Sequence, residues 1–192
     1  ENLDIDAQNI FLATFPIRRL EAESIRDAVL AVSGNLNREM YGKPVPLHLT
    51  EFMTGRGRPP VSGPLNGGGR RSIYMSLKRN FLYPMMITFD SPIPFSTFGK
   101  RNVTNVPAQS LFLMNDPFIH SQVNLWAERI AEEKSSNKDQ IEQIYLEALS
   151  RLPSEKELQD GIAIIEEFRQ SGEEEALAHF CHLIINRKEF IH

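Results

Sequence analysis

The run Asp139-Gln140-Ile141-Glu142-Gln143-Ile144-Tyr145-Leu146-Glu147-Ala148-Leu149 decides the fold class. Its apolar residues Ile141, Ile144, Tyr145, Ala148 and Leu149 fall at i, i+3, i+4, i+7 and i+8, the spacing that draws one stripe along an α-helix. Leu152-Pro153 ends the run, since proline has no N–H with which to continue it. Upstream, Asp116 reads as an N-cap with Pro117 at the first helical position, and Ile119, Val123, Trp126 and Ile130 recur in steps of three and four. Downstream, Ser154 and Glu157 have the spacing of a capping box, and Leu158, Ile162, Ile165 and Phe168 carry a helix to Ser171-Gly172. A last helix is expected over about 174–186, burying Leu177, Phe180, Cys181 and Ile184. Four amphipathic helices on short connections predict a bundle over 117–192.

Outside the bundle, 19–34 reads as one helix, with Leu20, Ile25, Ala28, Val29 and Val32 near one stripe and Gly34 suited to the C-terminal cap. Its charged residues, Arg18, Arg19, Glu21, Glu23, Arg26 and Asp27, alternate in sign. They read as a solvated face with i,i+4 pairs, or as an ion-pair network tied to the middle of the chain. Of 23 Gly and Pro residues, 18 fall in 42–117, so that window is expected to be loops, turns and short strands. Within it Ile73, Met75 and Leu77 alternate with Ser72, Tyr74, Ser76 and Lys78, a period of two that predicts one short strand over 71–79, paired with 45–52 or with a segment upstream. The glycine- and proline-rich 55–69 run is expected to be a long loop. The fold is thus mainly α: an N-terminal helix, an irregular middle with a short β element, and a C-terminal bundle of about four helices, in one domain over 1–192.

With 192 residues, 41% of them hydrophobic and 24% charged, the chain is globular in composition and sized for one core. A lone Cys181 excludes an internal disulfide and a cysteine-built zinc site, and no run approaches eighteen apolar residues, so no membrane span is expected. The opening Glu1-Asn2-Leu3-Asp4-Ile5-Asp6 has neither the basic nor the apolar region of a signal peptide, and the chain reads as a piece of a longer protein. The net charge of −4 conceals a division: 1–51 carry −3, 52–115 carry +7 and 116–192 carry −8. The basic and acidic blocks are expected to attract one another as two halves of one domain.

The stretch 70–83, with Arg70, Arg71, Lys78 and Arg79 among Tyr74, Phe81 and Tyr83, has the look of an anion-binding segment. A nucleic-acid partner is not expected, because the chain as a whole is acidic. Two readings remain: pairing of these arginines with carboxylates of the same domain, or a groove for anionic polysaccharide. The glycines at 55, 57 and 67–69 match no phosphate-loop pattern. His179 and His182 stand one helical turn apart, but no converging ligands accompany them, so no metal site is assigned. Asn102-Val103-Thr104 fits a glycosylation sequon, a short pattern. The densest polar set without a local role is Asp90, Arg101, Asn102, Thr104, Asn105, Gln109 and Asn115, among Phe89, Phe95, Phe98, Val103, Val106, Leu111, Phe112 and Leu113, which are expected to be buried. These side chains either staple irregular backbone or, with Arg71, Arg79 and Asn80, line a ligand pocket.

Several of these segments together resemble a known family. They are 18–28; Arg70-Arg71-Ser72-Ile73-Tyr74 with Lys78-Arg79-Asn80; Phe89-Asp90-Ser91-Pro92; 100–111; Leu113-Met114-Asn115-Asp116-Pro117; 149–158; and 181–186 with Glu189-Phe190. The chain resembles, over nearly its whole length, the planctomycete cytochrome-associated C-terminal domain, catalogued as domain of unknown function 1553. It departs mildly at Lys100, Asn102, Val103 and 108–110, and lacks the upstream helices with which such domains begin. The resemblance implies the end of a large, exported, multidomain protein, with haem held elsewhere in the parent and none in this chain. It transfers no catalytic residues. The function it implies is a non-catalytic accessory module in an extracytoplasmic location, partnered by other domains of the same parent. A polysaccharide-acting enzyme domain, or a glycan-binding module using the basic middle, is the alternative. For an enzyme, Arg71, Arg79, Asp90 and Arg101 would line the site; glycosidases need two carboxylates and 52–115 holds only Asp90, so the second would have to come from acids of the flanking helices.

Overall fold

A computed structural model describes Ile10, residues 17–173 and residues 175–192. The opening hexapeptide and Glu174, the expected start of the last helix, lie outside the described residues. Among those described there are seven α-helices: α1 (Ala22–Val32), α2 (Pro84–Thr88), α3 (Pro107–Asn115), α4 (Pro117–Glu133), α5 (Asn137–Leu149), α6 (Glu155–Gln170) and α7 (Ala176–Ile185). The last four are the expected bundle. Their ends are set by local chemistry: the Asp116 carboxylate accepts from the Phe118 N–H, the Ser136 hydroxyl caps α5, and Ser154 with Glu157 forms the reciprocal capping box of α6.

The core is built by α4, α5 and α7, with α1 laid against them. Trp126, Ile119, Ile130, Ile141, Ile144 and Cys181 are fully buried, and α6 closes one side through Ile165. Gly161 permits that closure, since a Cβ there would stand 3.0 Å from the ring of Phe180. α1 contributes Ile25, Val29, Leu30 and Val32, and is tied to α4 by polar clamps. The Ser33 hydroxyl donates to Gln122 Oε1 at 2.8 Å, and Arg129 Nη2 donates to the carbonyl of Val32 at 2.8 Å. The carboxylate of Glu147 completes that node, accepting both Arg129 amino groups, the Trp126 indole N–H at 2.7 Å and the Gln143 amide.

The middle departs from expectation in three ways. No strand forms among the described residues: 72–74 wind into a 3-10 turn, and pairing is reduced to isolated bridges, Asn37 with Arg70, Val45 with Met75 and Lys78 with Phe81. The cause is α1, where Asp27 accepts both the N–H and the hydroxyl of Ser72 and so bends the backbone. As a result Ile73 and Leu77, expected on a buried face, are about three-quarters exposed, at 75% and 76%. Second, α2 and α3 lie inside the window read as irregular. Third, of the apolar residues expected to be buried there, Phe89 and Leu113 are, Phe112 is half-buried, and Phe95, Phe98, Val103, Val106 and Leu111 are exposed.

Arg26 organises this middle. Its guanidinium is fully buried and donates to the carbonyls of Asn66 (2.7 Å) and Arg70 (3.0 Å) and to the Ser72 hydroxyl (3.1 Å), with its carbon 5.4 Å from the centre of the Phe118 ring. Burial holds its pKa below the usual arginine value, although Asp27 opposes the shift. The loop over it needs glycine at two points of close approach. A Cβ on Gly67 would meet Arg26 Nη2 at 2.5 Å, and one on Gly69 would meet the carbonyl oxygen of Asn35 at 2.2 Å.

Candidate functional site

The expected polar set separates into three groups. In the first, Asp90 sits just after α2 with φ +62°, a left-handed conformation that aspartate tolerates better than most residues. Its carboxylate accepts from Arg19 Nη2 at 2.8 Å, from the Thr104 N–H at 2.7 Å and from the Thr104 hydroxyl. Burial would raise its pKa, but these donors outweigh that and hold it below the ordinary aspartate value. Gln109 joins from α3, buried, its amide donating to the carbonyls of Thr88 and Thr104. Asp90, Thr104 and Gln109 are therefore brought together, with Arg19 as a member that sequence patterning missed. The cluster pins the 91–106 segment back onto α2.

In the second group, Arg101 grips Glu23 through two hydrogen bonds of 2.8 and 3.1 Å and stands 3.2 Å from Glu21. Hydrogen bonding to Glu23 raises its pKa, while Glu23 is held below the ordinary value because Arg101 outweighs the effect of burial. A cavity of about 130 Å³ opens beside these two groups, walled by Ile87, Pro92, Ile93 and Phe98 with Lys100 and Asn102. Asn115 belongs to neither group; its amide donates to the Leu111 carbonyl within α3.

Arg71, Arg79 and Asn80 make the third. All three are exposed, and among the described residues no hydrogen bond or ion pair joins them to Asp90 or Arg101. Arg79 and Asn80 form the tip of the turn closed by the Lys78–Phe81 bridge. Next to this segment runs 37–45, tied to it by the Val45 N–H donating to Tyr74 O at 2.8 Å and the Ser76 N–H donating to Val45 O at 2.9 Å.

There the structure presents a residue that sequence patterning missed. Tyr41 has φ +67°, a conformation costing a bulky residue about 1–3 kcal/mol. Two side chains hold it: the Tyr74 hydroxyl accepts from the Tyr41 N–H at 2.9 Å, and Arg70 Nη2 donates to the Tyr41 carbonyl at 2.5 Å. Arg70 is itself packed 4.3 Å over the Tyr74 ring and paired with Glu39 at 3.3 Å. The Tyr41 ring is left 76% exposed, beside exposed Met40.

Charge pairing differs from the expected attraction of two halves. The described ion pairs of the basic block run to 1–51: Arg101 to Glu21 and Glu23, Arg70 to Glu39, and Asp90 to Arg19. The bundle pairs within itself, Arg129 with Glu147 and Glu133, and Arg151 and Arg187 with Glu157 and Glu189. Among the described residues no ion pair joins 52–115 to 116–192.

The histidines do not converge. His179 packs edge-on against Phe168, whereas His182 donates its Nε2–H to the Leu113 carbonyl at 2.7 Å and meets the His120 ring edge-on at 4.7 Å. No group of three or more His, Cys, Asp or Glu able to hold a metal stands together among the described residues. No described helix is long and apolar enough to cross a membrane.

A family model described as a protein of unknown function, DUF1553 (PSD1), matches residues 1–165. The chain belongs to the DUF1553 family. The match covers α1 through most of α6, including every residue of the three groups above. No curated protein and no solved structure matches the chain. The family's description names no reaction.

Proposed function

We propose that this chain is a non-catalytic accessory module that docks through its basic middle onto an acidic surface elsewhere in an exported, multidomain parent protein. The observation that carries the reading is the division of the basic block. Arg70 and Arg101 are engaged in internal ion pairs, while Arg71, Lys78 and Arg79 stand exposed beside exposed Ile73 and Leu77, with no ion pair among the described residues. Exposed arginine with apolar side chains and few acids is the composition of a recognition surface. The carboxylates that a hydrolytic site would use are otherwise engaged: Asp90 by Arg19 and Thr104, Glu23 by Arg101. In this reading the parent works outside the cytoplasm, and any haem it carries is held outside residues 1–192.

Limited trypsin digestion tests it. The bonds after Arg71, Lys78 and Arg79 should be cut about tenfold more slowly in the full-length parent than in the separate 192-residue chain, because docking lowers the accessible fraction. The double variant Arg71→Ala, Arg79→Ala should restore fast cleavage after Lys78 in the parent. Equal rates in both proteins would overturn the reading.

A further inference from the structure

Two surfaces of the chain carry opposite charge, one around an exposed aromatic residue and the other around an apolar cavity, and no contact joins them among the described residues. The first is the Tyr41 knob, an exposed ring on a backbone clamped from both sides by Tyr74 and Arg70. Exposed Arg38 and Lys43, which form no ion pair among the described residues, flank it along the chain, and exposed Ile73 lies on the run bridged to it. The clamp has a directional consequence. A tyrosine free to relax to φ below zero would project its side chain elsewhere, so the Arg70–Tyr74 pair fixes the direction in which the side chain leaves the backbone. With the backbone held beforehand, contact has only the ring itself to order.

The second surface is a cavity of about 190 Å³ between α4 and α7. It is lined by the apolar side chains Ala127, Ala131, Leu177 and Ala178 together with Glu128, Glu175 and Asn124. Glu128 and Glu175 are exposed and form no ion pair among the described residues. An apolar socket with two carboxylates and an amide in its lining suits an aromatic ring with a phenolic hydroxyl and cations on either side.

We propose that Tyr41 of one copy of this chain docks in the α4–α7 socket of a second copy, with Arg38 and Lys43 facing Glu128 and Glu175. The inference goes beyond the docking of the basic middle onto the parent, since its residues lie in 38–43 and its acidic partner is the chain's own helical half. The contact is heterologous, knob to socket, so each copy keeps a free knob at one end and a free socket at the other. Such an interface propagates into a ring or an open chain of copies rather than stopping at a two-fold dimer. Its affinity should lie in the weak class, with Kd on the order of 10–100 µM, and should fall with added salt.

Sedimentation velocity of the 192-residue chain at low ionic strength, up to roughly 500 µM to exceed that Kd, is the test. The weight-average mass should rise at least about twofold above 21.9 kDa, past the dimer at the highest concentration, and fall back in high salt. Tyr41→Ala removes the knob and Ala131→Trp fills the socket at an exposed position; each alone should remain monomeric, and Tyr41→Phe should still associate. Mixed in equal amounts, Tyr41→Ala and Ala131→Trp should form a dimer and nothing larger, because only one knob and one socket remain. A wild-type chain monomeric at every concentration overturns the proposal, as does association indifferent to both variants or a mixture that forms no dimer. A monomer that instead binds heparin or anionic phospholipid vesicles through Tyr41 reassigns the knob to that ligand and also overturns it. The protease comparison in the parent is read independently, so a monomeric chain with protected Arg71 and Lys78 would sink self-docking alone.

Discussion

Replacing Arg26 by methionine tests whether one buried cation holds the irregular middle to α1. Methionine fills most of the volume but donates nothing, so the Arg70 carbonyl is left without a donor, while the Asn66 carbonyl keeps only the Gly69 N–H and the Ser72 hydroxyl only its bond to Asp27. Each of the three lost hydrogen bonds to the guanidinium costs about 1–2 kcal/mol, and loss of the contact with Phe118 adds about 1 kcal/mol. Removing a buried guanidinium also removes its desolvation penalty, an offset of about 2 kcal/mol. The net expectation is a destabilisation of about 3 kcal/mol. With m near 2 kcal/mol/M for a domain of this size, the urea midpoint should fall by about 1.5 M. Arg26→Lys should lose about half as much, because a compact ammonium cannot reach both carbonyls at once. Hydrogen exchange supplies the local readout: in Arg26→Met the amides of 67–72 should exchange much faster while those of α5 change little. A midpoint within about 0.3 M of wild type would refute the reasoning, since it would mean that the carbonyls find other partners at no cost.

Other expectations follow from the same geometry. Gly69→Ala should destabilise the fold by about 3 kcal/mol, because its Cβ would press on the Asn35 carbonyl, whereas Gly68→Ala, also left-handed but open to solvent, should cost about 1 kcal/mol by thermal denaturation. Glu147 is held below the ordinary glutamate value: burial alone would raise it, but hydrogen bonds from Arg129, Gln143 and Trp126 prevail. Its contribution is therefore complete above the unfolded value of 4.5 and is lost as pH falls below that, so urea midpoints of Glu147→Gln should converge on wild type between about pH 5 and 3. Asp90→Ala strands a buried Arg19 charge and should cost about 3 kcal/mol in chemical denaturation, while Asp90→Asn, which keeps an acceptor for Thr104, should cost roughly half of that.

The bundle was legible because its helices carry sharp stripes and explicit caps; Asp116-Pro117 and Ser154 with Glu157 sit where the backbone needs them. α3 was not, since Leu111, Phe112, Leu113 and Met114 run consecutively and draw no single stripe. The 71–79 alternation misled because period two reports a strand only when one face is covered, and here Asp27 draws Ser72 into a turn. The alternating charges of 18–27 allow either a solvated face or a network tied to the middle, and the structure has the network, with Arg26 fully buried. The signal that points to it is Gly67-Gly68-Gly69, a run without Cβ atoms through which backbone carbonyls can approach a guanidinium. In the polar set, the stapling role of Asp90, Thr104 and Gln109 was foreseeable from composition. Tyr41 was not, because nothing in the residues around it announces a backbone clamped by Arg70 and Tyr74 across some thirty positions.

The clamps between α1 and the rest of the chain bear on the order in which the protein can be made. α1 leaves the ribosome early, yet its partners are distant: Asn66 and Ser72 lie 40 and 46 residues after Arg26, Gln122 lies 89 after Ser33, and Arg129 lies 97 after Val32. The bundle packs most heavily between its first and last helices, α4 and α7, so it too closes only when residues 176–185 have followed. Ile25, Val29 and Leu30 thus stay uncovered until α4 has emerged, a wait of several seconds at about 5–20 residues per second. During that interval the nascent chain displays the apolar stripe that chaperones recognise, and its fate depends on how soon residues 117–133 follow.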